Sequence, residues 1–173
     1  MARPLSARKR DILYLTFFII HLPVMFAVDL SPMYPEAIKP VWMTSLREWY
    51  IVTYQDQFFV RPPAWFNAYM WMEALYHVPL SAWAIGAIIR VDDPKFPLHL
   101  LIFATQTGVT TFTCIADYLS WGDISQDSKM TLGALYVPYL ILAVFMGVDM
   151  FGRLDAVISR AAGVKAISGK KSL

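Results

Sequence analysis

The sequence predicts an all-α membrane protein, a bundle of four transmembrane helices with kinks and a short helical cap. Hydrophobic residues make up 57% of its 173 residues and charged residues only 16%, whereas soluble domains have about 45–50% apolar and about 25% charged residues. The mean hydropathy is +0.47, and a soluble chain of this length cannot bury so much apolar surface. The excess must therefore face lipid.

Cys114 is the only cysteine, which excludes a secreted disulfide framework, and the net charge of +2 gives no indication of a nucleic-acid partner.

Four apolar stretches are each long enough to cross the hydrocarbon core of a bilayer, which takes roughly 20 helical residues. We expect these spans at residues 12–30, 65–89, 97–121 and 130–151. Together they form one four-span domain, residues 12–151, between an N-terminal segment (1–11) and a basic tail (152–173). The first stretch also suits a cleaved signal peptide, but it is long for one and lacks a small-x-small cleavage site.

The segment between the first two spans, residues 31–64, differs from the rest because five prolines interrupt it. Within it, residues 44–55 have the spacing of a short amphipathic helix. Its apolar side would carry Leu46, Trp49 and Tyr50, and its charged side Arg47 and Glu48. We therefore predict a cap that lies on the membrane surface.

The distribution of Lys and Arg predicts the orientation, because the more basic side of a membrane protein stays in the cytosol. With four spans, the two termini and the loop at 90–96 share one side, which carries 11 of the 15 basic residues. We expect cytosolic termini and a lumenal cap. Lys170 and Lys171, close to the C-terminus, match the dilysine signal that returns membrane proteins to the endoplasmic reticulum; a basic tail near anionic lipid is the alternative.

Ionisable side chains inside a span cost several kcal/mol unless they are paired or protonated, so each one is a candidate functional residue. At a rise of about 1.5 Å per residue, Asp29 and Glu73 fall at neighbouring depths toward the lumenal side. His21 and His77 both fall near the midplane, where each could either form a hydrogen bond between helices or contact a ligand. We expect the two carboxyl groups to meet and to share one proton. Three further ionisable residues lie close to span ends, where snorkelling or capping explains them: His99, Asp117 and Asp149.

Proline and hydroxyl residues inside the spans predict a cavity. Pro23, Pro79 and Pro138 should each kink a helix because each removes a backbone hydrogen bond, and kinked helices pack less tightly at their centres. The third span adds a polar stripe that suits either a cavity wall or close helix packing: Gln106, Thr107, Thr110 and Thr111. An apolar cavity with one acidic pair suits a flat hydrophobic molecule or a hydrophobic cation. No residue pattern points to a metal or another cofactor.

Four segments of the chain resemble the EXPERA-domain family, and within it the sigma-2 receptor group. They are HLPVMFAVDL (21–30), PPAWFNAYMWMEALYHVPL (62–80), TQTGVTTF (105–112) and LYVPYL (135–140). The family also includes the emopamil-binding protein, a sterol double-bond isomerase. The resemblance implies a four-helix membrane bundle with a lipid-facing pocket. It also implies that the protein is a homodimer and that it resides in the endoplasmic reticulum.

The resemblance also implies roles for individual residues. Asp29 would pair with a ligand amine, Glu73 would hydrogen-bond to Asp29, and Asp56 would fix the cap loop rather than touch the ligand. The other residues expected at or near the pocket wall are His21, His77, Thr107, Thr110, Tyr136 and Tyr139. His77 departs from the sigma-2 receptors, which have glutamine at this position.

Three functions follow from these residues. The first is non-catalytic binding of sterols, other lipids and cationic amphiphiles, with a role in sterol homeostasis. The second is sterol isomerisation, with Glu73 and either His21 or His77 as acid and base. In the isomerases a glutamate follows the first-span histidine by four residues, whereas this chain has Met25, so we expect binding rather than catalysis. The third is a non-catalytic partner or regulator of a sterol transporter.

Overall fold

The computed structural model describes residues 4–90 and 93–170, with side chains described through residue 163. Within these ranges the chain forms helices and turns and no β-strand. Four helical segments of the described chain are long and apolar enough to cross a membrane. The predicted fold class, an all-α membrane bundle, is therefore confirmed.

The spans and the cap helix follow one another with short connections. In chain order they are α1 (Lys9–Val24) with a π-helical continuation (Met25–Asp29), α2 (Val41–Tyr54), α3 (Ala64–Met72) with a π-helical continuation (Glu73–His77), α4 (Val78–Arg90), α5 (Phe96–Ser120) and α6 (Gln126–Lys170). The first span is α1 with its continuation, and the second span runs from α3 through α4. Short 3-10 turns at Ser31–Met33 and Gln57–Phe59 belong to the cap. Each of the first three spans begins within three residues of its predicted start.

The fourth helix is much longer than the sequence predicts. We expected a span at 130–151 and a separate basic tail, but α6 is helical to Lys170. Its 45 residues extend about 68 Å at 1.5 Å per residue, far more than a bilayer core of about 30 Å. No proline follows Pro138 to interrupt the helix, and nine of the 19 residues from 152 to 170 are the strong helix formers Ala, Leu, Arg and Lys. Of the predicted dilysine signal, the side chain of Lys170 and the whole of Lys171 lie outside the described part of the chain.

Two clusters of buried side chains hold the bundle together at opposite ends of α5. The larger cluster takes side chains from all four spans: Tyr14, Phe18, Leu80, Ala84, Ile88, Leu100, Phe103, Ala104, Met146 and Met150. The smaller cluster joins Phe58 of the cap to the end of α5 and the start of α6 through Cys114, Tyr118 and Leu132. The space between the two clusters is where the helices leave room for a cavity.

Small residues bring α5 and α6 close together along their length. A Cβ placed on Gly108 would lie 3.9 Å from the Cβ of Ala143, and one on Gly147 would lie 3.8 Å from that of Ala104. Membrane helices associate through such small-residue contacts because lipid supplies no hydrophobic driving force between them. Large apolar side chains on the outer faces stay exposed, as expected of a lipid-facing surface: Ile19, Leu75, Phe112, Ile141 and Val148.

One residue from the predicted charged side of the cap helix α2 also takes part in packing. Arg47, expected on the charged side, donates from Nη2 to the carbonyl oxygen of Phe59 over 2.7 Å. Its guanidinium carbon lies 5.9 Å from the centroid of the Phe59 ring. Trp49, expected on the apolar side, is 56% exposed. The unpaired carbonyl of the following turn offers Arg47 a partner that the periodicity of α2 alone cannot reveal.

Candidate functional site

Two π-helical segments carry the ionisable residues of the site. One begins at Met25, two residues after Pro23, and includes Asp29. The other, Glu73–His77, ends just before α4, which has Pro79 as its second residue. Proline leaves the carbonyl four residues before it without its helical partner, and π-helical turns accommodate such breaks and are frequent at functional sites. By contrast, α6 continues as α-helix through Pro138.

A cavity of about 410 Å³ lies between the spans and the cap. We call it the acidic cavity. Seven of the eight residues expected to bind a ligand line it: His21, Asp29, Glu73, His77, Thr110, Tyr136 and Tyr139. They come from all four spans, so the fold brings together residues that are more than 100 positions apart in the sequence.

Thr107, the eighth residue, is not on the wall of the acidic cavity. It is buried, with 7% of its surface exposed, and its hydroxyl has no hydrogen-bond partner among the described residues. Thr107 shares a face of α5 with Thr111, which does line the cavity, but it lies one turn closer to the larger core cluster. The cavity ends before that turn, and helical periodicity predicts a face but not a depth.

The two acids of the cavity lack a cationic partner in the described chain. Asp29 and Glu73 both line the cavity, but no hydrogen bond joins the two carboxyl groups in the described part of the chain. All ion pairs among the described side chains involve other carboxylates: Asp11, Glu36 and Asp149. A charged carboxylate in a low-dielectric site needs a counter-ion or a proton. The cavity can therefore accept a cation.

The two histidines are buried and differ in their hydrogen bonds. Nδ1 of His21 is 2.6 Å from the hydroxyl of Tyr139, which links the first and fourth spans. Nε2 of His77 has no hydrogen-bond partner among the described side chains, and neither has Oε1 of Gln106, although Gln106 lies beside His77. Both rings pack against Phe103 of the larger cluster. His77 lines the acidic cavity, but its Nε2 is buried, so the ring would have to turn before this atom could bond to a molecule there.

Asp56 lies behind the cavity wall. Its side chain is fully buried, and it accepts hydrogen bonds from the hydroxyls of Tyr50 (3.0 Å) and Tyr136 (2.9 Å) and from the backbone N–H of Phe58 (3.0 Å). Gln55, in the left-handed conformation at φ 55°, ends α2 and turns the chain inward at this point.

The balance of burial and hydrogen bonding sets the ionisation of this cap site. Burial raises the pKa of the Asp56 carboxyl, and the hydrogen bonds that it accepts oppose that rise. Burial, followed by the negative charge of Asp56, raises the pKa of the Tyr50 hydroxyl. Tyr50 therefore stays a hydrogen-bond donor, and Asp56 ties α2, the cap loop and α6 together.

Several wall residues were missed by the sequence analysis. Trp49, Tyr50 and Tyr54 reach the acidic cavity from α2, and Cys114 reaches it from α5. We predicted that the cap lies on the membrane surface, but it also covers the cavity. Cys114 was predictable, because it follows Thr110 by four residues and so shares its helix face.

The three ionisable residues predicted at span ends differ in their surroundings. Asp149 is not simply snorkelling: it is buried and pairs with Arg10 (2.6 Å) and Arg153 (2.7 Å). Asp117 accepts a hydrogen bond from the indole of Trp121 at the end of α5. His99 packs edge-on against Trp83. None of them lines the acidic cavity.

Comparisons with known proteins agree on one family. The family model for EBP, described as EXPERA (EXPanded EBP superfamily), matches residues 42–150. The chain is 24% identical to sigma intracellular receptor 2 of Xenopus tropicalis over 153 residues, which cover 83% of this chain and 89% of that protein. It is 26% identical to the Homo sapiens protein of the same name over 162 residues, or 84% and 92% of the two chains. It is 27% identical to efficient mitochondria targeting-associated protein 19 of Schizosaccharomyces pombe over 152 residues, which cover 87% of this chain and 80% of that protein.

Proposed function

The chain belongs to the EXPERA (EXPanded EBP superfamily) family, and from this premise we propose that it binds sterols or other lipids and hydrophobic amines in its acidic cavity, without catalysis. It is a membrane protein similar to sigma intracellular receptor 2. The observation that carries the proposal is that Asp29 and Glu73 line one cavity between the spans. Neither forms an ion pair within the described part of the chain.

A cationic amphiphile supplies the positive charge that Asp29 and Glu73 do not find among the described side chains. Its amine pairs with Asp29. No hydrogen bond joins Asp29 and Glu73 in the described part of the chain, so Glu73 supports Asp29 by holding a proton, which removes a second negative charge from the cavity. In a site with little water this charge-assisted contact is stronger than the same contact on a protein surface. Aromatic walls from Trp49, Tyr54 and Tyr139 enclose the apolar part of the ligand.

A sterol fits the same cavity as the natural ligand. The volume of about 410 Å³ lies in the range of about 300–1,000 Å³ that is usual for small-molecule sites. The hydroxyl groups of Thr110 and Tyr139 offer partners for a sterol hydroxyl. Such binding would give the protein a role in sterol homeostasis.

The first test removes the charge of Asp29 and keeps the size of its side chain. We expect Asp29→Asn to lower the affinity for a radiolabelled cationic amphiphile roughly 100-fold, about 3 kcal/mol, because the ligand amine loses its counter-charge. Asp123→Asn, at an exposed loop position, is the matched control and should bind like the wild type. Retained affinity in a folded Asp29→Asn variant would reject the role of this carboxylate.

Sterol isomerisation is the second candidate, and one observation favours it. Glu73 and His77, four residues apart in the second span, both line the acidic cavity, so one wall carries both a carboxyl group and an imidazole. Incubation with an unsaturated sterol in heavy water tests this activity. Deuterium on the ring, lost in Glu73→Gln, would establish catalysis; no exchange at any pH would reject it.

We also propose a location and an assembly. The excess of Lys and Arg on one side supports cytosolic termini, and Lys170 and Lys171 support residence in the endoplasmic reticulum. Similarity to the sigma-2 receptors supports a homodimer. A partner role toward a sterol transporter remains the third function; it predicts that Thr110→Trp, which fills the cavity, leaves the cellular effect intact.

A further inference from the structure

A second cavity of about 450 Å³ lies between the cap and the first turns of α3. We call it the outer cavity. It is lined mainly by apolar side chains of both elements: Pro32, Met33, Phe58, Phe59, Pro62, Phe66, Met70 and Trp71. Its polar lining residues are Arg47 and Asn67. The sequence analysis assigned no function to this region.

The outer cavity has the opposite charge to the acidic cavity. Asp29 and Glu73 line only the acidic cavity, and Arg47 lines only the outer one. The two spaces share three wall residues, Phe59, Phe66 and Met70. These apolar side chains therefore separate the acidic cavity, whose carboxyl groups suit a cationic ligand, from the outer cavity, whose wall carries the guanidinium of Arg47.

Arg47 is a partly buried cation whose hydrogen-bonding capacity is mostly unused. Its Nη2 donates to the Phe59 carbonyl, while its Nε is buried and has no partner in the described chain. It forms no ion pair with any described carboxylate. Asp56, in the same loop as Phe59, is already held by Tyr50, Tyr136 and the Phe58 amide.

An unpaired guanidinium at the edge of an apolar cavity is suited to an anion, because its planar fork matches a carboxylate or a phosphate. The apolar lining continues from Arg47 along α3 to Trp71, which is 58% exposed and faces outward. We propose that the outer cavity binds an amphiphile with an anionic head, with its carboxylate or phosphate on Arg47 and its acyl chain against Phe66, Met70 and Trp71. This site is independent of ligand binding in the acidic cavity.

Binding of three single-chain lipids to the full-length protein in a neutral detergent tests this proposal. Oleate carries a carboxylate, oleoyl lysophosphatidate a phosphate, and monoolein no charge. We expect at least one of the two anionic lipids to bind about tenfold or more tightly than monoolein. Preference for oleate would identify a fatty acid as the ligand, and preference for lysophosphatidate a phospholipid headgroup. Equal binding of all three would overturn the proposal.

Variants of Arg47 assign the binding to this cavity. Arg47→Gln should lower the affinity for the preferred anionic lipid about tenfold, and Arg47→Lys should lower it less. Arg61→Gln, at an exposed arginine of the cap, is the matched control and should leave the affinity unchanged. Wild-type affinity in Arg47→Gln, or an equal loss in Arg61→Gln, would contradict the proposal.

Two further measurements separate this site from a folding defect and from the acidic cavity. Met33→Trp fills the outer cavity without altering Arg47 and should also abolish binding of the anionic lipid; retained binding would overturn the proposal even if Arg47→Gln does not fold. A radiolabelled cationic amphiphile, measured on the same samples, should bind to folded Arg47→Gln as it does to the wild type. Loss of amphiphile binding in folded Arg47→Gln would contradict the proposed independence of the two sites.

Discussion

Asp56 shows how one buried carboxyl group can hold three parts of the chain. It receives hydrogen bonds from Tyr50 of α2, from the amide of Phe58 in the cap loop and from Tyr136 of α6. Tyr136 also lines the acidic cavity. Asp56 therefore positions a cavity wall without touching the cavity itself.

Removing this acceptor should cost stability. We predict that Asp56→Ala lowers the free energy of unfolding by about 3 kcal/mol, because two tyrosine hydroxyls and one amide lose their acceptor in a buried site. Thermal unfolding in detergent measures the change, and Asp123→Ala, at an exposed position, should unfold like the wild type. Equal stability of the two variants would show that Asp56 does not anchor the cap.

At the scale of elements, a network of ion pairs joins α1 to α6 at the end of the bundle away from the cap. Asp149 contacts Arg10 and Arg153, and Tyr14 donates to it over 2.9 Å. Arg153 also pairs with Asp11 of α1 at 2.7 Å. These contacts fix the register between the first and fourth spans, on which His21 and Tyr139 face each other.

Disrupting the network should loosen this register. We expect Asp149→Asn to lower the free energy of unfolding by about 2 kcal/mol, a value reduced from that of a fully buried pair because Arg10 is 65% exposed. The matched control is Asp155→Asn, on an exposed face of the same helix. Unfolding in detergent at low and high salt measures both, and an unchanged midpoint for Asp149→Asn would contradict the role assigned to the network.

The sequence predicts four spans because bilayer thickness fixes their length, and the rarity of unpaired charges in spans singles out Asp29 and Glu73, which both line the acidic cavity. Other features depend on tertiary contacts. The pairing of Asp149 with Arg10 joins residues 139 positions apart, and Arg47 turns to the Phe59 carbonyl only once the cap is folded. The depth at which the cavity ends, which excludes Thr107, depends on how the spans pack.

At the scale of the whole molecule, the buried side chains form two separate clusters with a cavity between them. The larger cluster packs all four spans at one end, and the smaller one packs the cap against α5 and α6 at the other. The acidic cavity lies between them, bounded by spans and covered by α2. A rigid bundle end and a separate cap allow a ligand site in the middle of a small membrane protein.

The central claim is that Asp29 and Glu73 act together on one cationic ligand, and a double-mutant cycle measures this coupling. Affinities for a radiolabelled cationic amphiphile would be measured for Asp29→Asn, for Glu73→Gln and for the double variant. We predict that Glu73→Gln loses about tenfold and that the double variant binds no more weakly than Asp29→Asn, since the role of Glu73 is to support Asp29. Independent losses that add in the double variant, or wild-type binding in Glu73→Gln, would contradict the account.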